Sequence, residues 1–80
     1  MPRIIDGPQS NIVGKRTRIA RRKAGYSQKE LAEKLELEAV YVCRGSVSRI
    51  ESGVRTVTDI EIDGFSKVLK VSLDYLFGRD

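Results

Sequence analysis

The stretch from Ser27 to Gly53, SQKELAEKLELEAVYVCRGSVSRIESG, constrains this chain more than any other. Ser27 followed three residues later by Glu30 is a capping box, a helix start in which each residue satisfies the other's backbone N–H. Leu31, Ala32 and Leu35 then fall on one face of the helix that begins there. A small side chain at Ala32 lets another helix cross closely. No breaker follows before Glu38 or Ala39, so the helix is expected to run that far. Val40-Tyr41-Val42 reads as extended, too short for a sheet and without a partner strand. Cys43 stands at the N-cap of a second helix, about Arg44 to Glu51, where Ser or Asp would serve better. Val47 and Ile50 point inward from it; Arg44, Gly45, Ser48 and Arg49 point away. Gly53 ends it. The rest of the chain reads as support for presenting that second helix.

On either side of this stretch the pattern stays helical. Residues 1–10, MPRIIDGPQS, hold both prolines and read as an extended arm, with residues 11–80 as the folded domain. Arg3 in the arm fits either a phosphate or minor-groove contact or a frayed terminus. A helix from about Ile12 to Ala24, with Ser10 or Asn11 as N-cap, carries an inward stripe of Val13, Thr17, Ala20 and Ala24; Ile12 and Ile19 lie beside it. Arg18, Arg21, Arg22 and Lys23 load its second half, where cations are locally favourable, and Gly25 supplies the stop. A second capping box, Thr58 with Glu61, starts a helix at Asp59. Ile62, Phe65, Val68 and Leu69 form its apolar face, Ile60 sits at its entry, and Gly64 weakens it by about 1 kcal/mol relative to alanine. Ser72 caps a last short helix, Leu73 to Phe77. The expected fold is all-α: five helices in one small domain, with no sheet.

Eighty residues bury only somewhat over roughly 60% of their unfolded surface. Support from a partner subunit or ligand is therefore consistent with this size. The apolar fraction of 40%, beside 32% charged residues, is that of a globular chain and not a disordered one. Net charge is +4, but its placement is lopsided: residues 1–29 carry eight basic side chains against Asp6 alone, and residues 30–80 carry seven against ten acidic. Such a bias points to a polyanion partner or to a solvated basic helix face. One cysteine and no histidine exclude an internal disulfide and a cysteine–histidine zinc site. A reducing, cytoplasmic setting fits, and no apolar run approaches a membrane span. Paired carboxylates, a histidine base and a phosphate-cradling glycine loop are all missing. No enzyme chemistry, cofactor or metal is expected.

Two helices joined in this way suggest a helix-turn-helix. An α-helix fits the major groove of B-DNA, where each base pair shows a distinct donor and acceptor pattern. The blocks RRKAGYSQKELAEKL, SVSRIESG and TDIEIDGFSKVLKVSLDYLFG, in that order, resemble the lambda-repressor-like (Cro/Xre) helix-turn-helix family from about Val13 to Gly78. The resemblance implies a compact five-helix fold and sequence-specific binding of double-stranded DNA. It implies a transcription regulator, a repressor acting as a homodimer. By the same resemblance Gln28 meets a DNA phosphate, joined in that role by Ser27, Ser48, Arg55 and Lys15. Arg44, Gly45, Ser46 and Arg49 become the base-reading set. For Arg44 and Arg49 the alternative is phosphate contact without base reading. Arg21 and Glu51 would form a structural ion pair; Leu73, Leu76 and Phe77 either close the core or, as the resemblance implies, form a dimer surface.

The chain departs from the family pattern in several places. ELEAVYVCRG replaces the usual tight turn, which resembles a subset with a lengthened link and bears on how the second helix is tilted. Gly45 replaces a polar residue, Lys70 a glycine and Asp63 an apolar residue. Cys43 reads as an inert thiol or, at a helix N-terminus, a redox switch. A rival function on the same fold is a protein-interaction module, such as the neutralising partner of a toxin.

Overall fold

The computed structural model describes residues 11–79, which form α1 (Gly14–Ala24), α2 (Gln28–Leu37), α3 (Arg44–Glu51), α4 (Asp59–Leu69) and α5 (Leu73–Leu76), with no strand among them. The arm at residues 1–10, with Arg3 and the candidate cap Ser10, lies outside the described residues. α2 packs on α3 and α4, while α1 lies against α3, α4 and α5. Val13, Leu31, Leu35, Val47, Ile50, Phe65 and Leu76 are the buried heart of the core. Val40 and Val42 of the link and Leu69 join them.

Both capping boxes form. Ser27 Oγ accepts from Glu30 N at 3.0 Å, and Glu30 Oε1 accepts from Ser27 N at 2.8 Å. Thr58 and Glu61 make the same exchange. α3 occupies its expected span, and α4 starts at Asp59 as expected.

The differences lie at helix ends. α1 starts at Gly14, not Ile12, with Val13 at its N-cap position, and Asn11 bonds both to Gly14 and to the exit of α3. Its Oδ1 caps Gly14 N at 2.8 Å, while its Nδ2 donates to Ile50 O at 2.7 Å and Arg55 O at 3.0 Å. That one amide ties the entry of α1 to the exit of α3. Gly14 itself lies against Ile50 O, where no Cβ would fit. Ala24 is exposed, and Arg21 takes the inward place on the last turn.

α2 ends at Leu37, short of Glu38 or Ala39. Ala39 turns left-handed, φ 60°, and its N–H and that of Val40 donate back to Glu36 O and Leu35 O, both at 2.9 Å. This is a Schellman stop without its usual glycine. What drives it is Val40, which the turn carries into the core. There Val40 and Leu35 pack against Gly64, so near that an alanine Cβ would stand 3.0 Å from Val40 and 3.1 Å from Leu35. Gly64 therefore trades helix propensity for a close approach of the link. Lys70 ends α4 in the same left-handed region, φ 56°, which explains why glycine is usual there.

α5 is one residue shorter than expected, with Phe77 as its C-cap. Leu76 is wholly buried among core residues, so it does not belong to a dimer surface. Leu73 is exposed and Phe77 half-buried.

Candidate nucleic-acid interface

α3 is held on the protein by three inward side chains. Val47 and Ile50 are fully buried, and Glu51 is buried at its last position. The Arg21 guanidinium meets the Glu51 carboxylate with two parallel bonds, Nε to Oε2 at 2.7 Å and Nη2 to Oε1 at 3.0 Å. Arg21 Nη1 also donates to Tyr26 O at 2.7 Å. Two-pronged geometry of this kind fixes orientation as well as distance. It locks the exit of α3 to the end of α1 and to the turn before α2.

Gln28, the first residue of α2, joins this cluster. Its Nε2 donates to Glu51 Oε1 at 3.1 Å, so the α2 N-terminus and the α3 C-terminus share one carboxylate. Ser27, next to it in the chain, is exposed, and so are Lys15 and Ser48. Helix N-termini present open N–H donors and a partial positive charge, a natural seat for a phosphate.

On the outer face of α3, Arg44, Gly45, Ser48 and Arg49 are exposed and Ser46 is half-buried. Arg49 folds back along the helix: its Nη2 donates to Ser46 Oγ at 3.2 Å, and its Nη1 lies 3.5 Å from where a Gly45 Cβ would be. The same Ser46 hydroxyl accepts from Cys43 Sγ at 3.4 Å. The thiol is held below its ordinary pKa, first by the Ser46 side chain and next by the Ser46 backbone. Arg44, Gly45, Ser46 and Arg49 thus share one short exposed surface.

Arg55 is placed differently from the other cations named in the sequence. It forks onto Glu61, Nη1 to Oε1 at 3.0 Å and Nη2 to Oε2 at 2.9 Å, and Nη1 also donates to Thr56 O at 2.9 Å. This ties the loop after α3 to the start of α4 and makes Arg55 a structural brace in this structure. Asn11 and Gly14 brace the other side of α3; the sequence offers Asn11 only as a local cap, and nothing in it marks the bond to Ile50 O or the close approach at Gly14.

Residues 18–76 match the family model described as helix-turn-helix. The chain belongs to the Cro/Xre-like helix-turn-helix family. The match takes in all of α2, α3, α4 and α5 and most of α1. An HTH-type transcriptional regulator, ImmR of Bacillus subtilis (strain 168), is 40% identical over 68 residues, which is 85% of this chain and 50% of ImmR. The chain therefore spans about half the length of that curated relative. No solved structure matches it. Among the described residues no helix is long and apolar enough to cross a membrane, and no group of three or more His, Cys, Asp or Glu is placed to hold a metal.

Proposed function

We propose that this chain is the DNA-binding unit of a transcription regulator, a repressor that binds a two-fold related operator as a homodimer with α3 in the major groove. The observation that carries the reading is the division of α3 into a buried seam, Val47 and Ile50, and an exposed face bearing Arg44, Gly45, Ser48 and Arg49. The Gln28–Glu51 bond ties the end of α3 to the α2 N-terminus. In this reading Arg44, Gly45, Ser46 and Arg49 lie at base edges. Gln28, Ser27, Ser48 and Lys15 lie along phosphates. Arginine suits guanine, whose O6 and N7 accept both prongs of its fork. The relative's name, a transcriptional regulator, agrees with this reading.

Two copies on successive major grooves would set their α3 helices about 34 Å apart. Leu73 and Phe77 remain as apolar side chains for contact between copies. Selection of bound duplexes from a random pool, at two salt concentrations, tests the whole reading. An enriched palindrome whose binding weakens steeply with salt is expected; a pool that stays random would overturn it. Sedimentation of the free protein and of its operator complex tests the dimer, and a monomer in both would remove that part.

A further inference from the structure

The two ends of α3 are held in different ways. At its entry, Cys43 makes no side-chain capping bond, and the chain is anchored by the buried Val42, an apolar contact with no preferred direction. At its exit the contacts are directional. Gly53 N donates to Ile50 O at 3.1 Å and Val54 N to Arg49 O at 3.0 Å, which closes the helix. Asn11 reaches into this stop from the start of α1, its Nδ2 donating to Ile50 O and to Arg55 O, two residues past Gly53. Gly14 closes on the same Ile50 carbonyl. The next residue, Glu51, takes the Arg21 fork from the far end of α1. α1 thus grips two consecutive residues of α3, by the backbone at Ile50 and by the side chain at Glu51. Attachment at two points fixes a direction as well as a position.

Leverage makes that direction matter. α3 has eight residues and is about 12 Å long. A tilt of about 10° at its exit moves the Arg44 end by about 2 Å, more than a base-edge hydrogen bond tolerates.

We propose that Asn11 is a positioning residue for base reading: by holding Ile50 O and Arg55 O it sets the tilt of α3, and with it whether Arg44, Ser46 and Arg49 meet base edges. The inference rests on the DNA-binding reading above and deepens it, since Asn11 acts through α3 and not through a contact of its own with DNA. Chemistry separates its two roles. Oδ1 accepts from Gly14 N, which a serine or aspartate oxygen also does; Nδ2 joins two carbonyls at once, which neither of those side chains can. Asn11→Ser therefore keeps the helix start and removes the brace without changing charge.

The test uses the full chain, its selected operator and an unrelated duplex of the same length, well below the thermal midpoint of each variant. Asn11→Ser should weaken operator binding about tenfold, the worth of one lost base contact, and leave the unrelated duplex within about twofold of the parent. Asn11→Asp, a second variant that keeps the acceptor and lacks the donors, should also narrow the ratio between the two duplexes. In an Arg49→Ala background, Asn11→Ser should weaken operator binding by a smaller factor, because a contact already removed cannot be misaimed. Undiminished discrimination in both Asn11 variants, even with lowered thermal midpoints, would make Asn11 a cap and a fold contact only and overturn the proposal. Equal weakening of both duplexes by Asn11→Ser, or full additivity with Arg49→Ala, would overturn it as well. If the parent protein shows no preference for its operator, the DNA-binding reading fails and this inference with it.

Discussion

Arg21 and Glu51 meet through two hydrogen bonds, the shorter 2.7 Å, with both side chains almost fully out of solvent. The pair joins the last turn of α1 to the last residue of α3, and Gln28 shares one of its oxygens. Removing one partner leaves an uncompensated charge in the interior. Glu51→Ala should therefore cost about 3–5 kcal/mol of folding stability, measured by urea unfolding. A loss below about 1 kcal/mol would show that water or a neighbour takes over the guanidinium.

Gly14 gives a prediction with the opposite sign to helix propensity. An exposed glycine within a helix gains up to about 1 kcal/mol when changed to alanine. Gly14 is buried against Ile50 O, so a Cβ there forces α1 and α3 apart. Gly14→Ala should destabilise by about 1–3 kcal/mol, the usual cost of overpacking. A raised thermal midpoint would mean that the contact relaxes freely.

These two contacts mark what was legible in the chain and what was not. Helix starts were readable because serine and threonine caps with glutamates three residues on are local devices, and each forms where the spacing puts it. Helix ends were less so. Ala39 and Lys70 adopt left-handed backbone, which side chains of those types do not advertise; tertiary demands on Val40 and on the turn after α4 impose it. At the start of α1, Asn11 does accept from Gly14 N, but its amide also donates to the carbonyls of Ile50 and Arg55, 39 and 44 residues on, which no local pattern shows. Whether Leu76 closes the core or faces a partner stayed open, because a short terminal helix does not reveal which of its apolar residues turns inward. The exposed face of α3 followed from periodicity alone, but the Arg55–Glu61 fork needed the folded loop to bring the two together.

That fork makes stability depend on pH. Burial opposes ionisation of Glu61, but the hydrogen bonds from Arg55 and from Thr58 N outweigh it and hold the carboxyl below its ordinary value. A carboxyl depressed in the folded state contributes stability that is fully present above its unfolded pKa, about 4.3, and is lost as pH falls through the lower folded value. The exposed Glu30, lowered chiefly by its hydrogen bonds with the Ser27 backbone and side chain, acts in the same direction. Thermal midpoints should thus hold steady from neutral pH to about 5 and drop below about 4.3. Glu61→Gln should flatten part of that drop, and a drop of unchanged depth would remove Glu61 as its source.

The left-handed stops offer stabilising changes. A non-glycine residue in that region carries a backbone cost of roughly 1–2 kcal/mol. Ala39 and Lys70 are both exposed and both lie there. Ala39→Gly and Lys70→Gly should each raise stability, by about 0.5–1 kcal/mol after the added flexibility of the unfolded chain is counted. The two sites lie in separate turns, so the double variant should show the sum. A neutral or negative result at Ala39 would indicate that the alanine methyl packs usefully in the link.

Arg49 is the residue on which base reading can be decided. In this structure its guanidinium rests on Ser46 Oγ and above Gly45. To reach a guanine it must exchange one exposed, single hydrogen bond to a hydroxyl for a two-pronged one at O6 and N7. Arg49→Ala should cost about 1–3 kcal/mol on the selected operator and relax preference at one base pair in each half-site. Arg49→Lys should recover charge but not the fork, restoring the salt slope without restoring the base preference. Quantitative binding to operators varied one base pair at a time checks both. If Arg49→Ala weakens all sequences equally, the side chain is a phosphate contact, and base reading falls to Arg44 and Ser46 at the other end of α3.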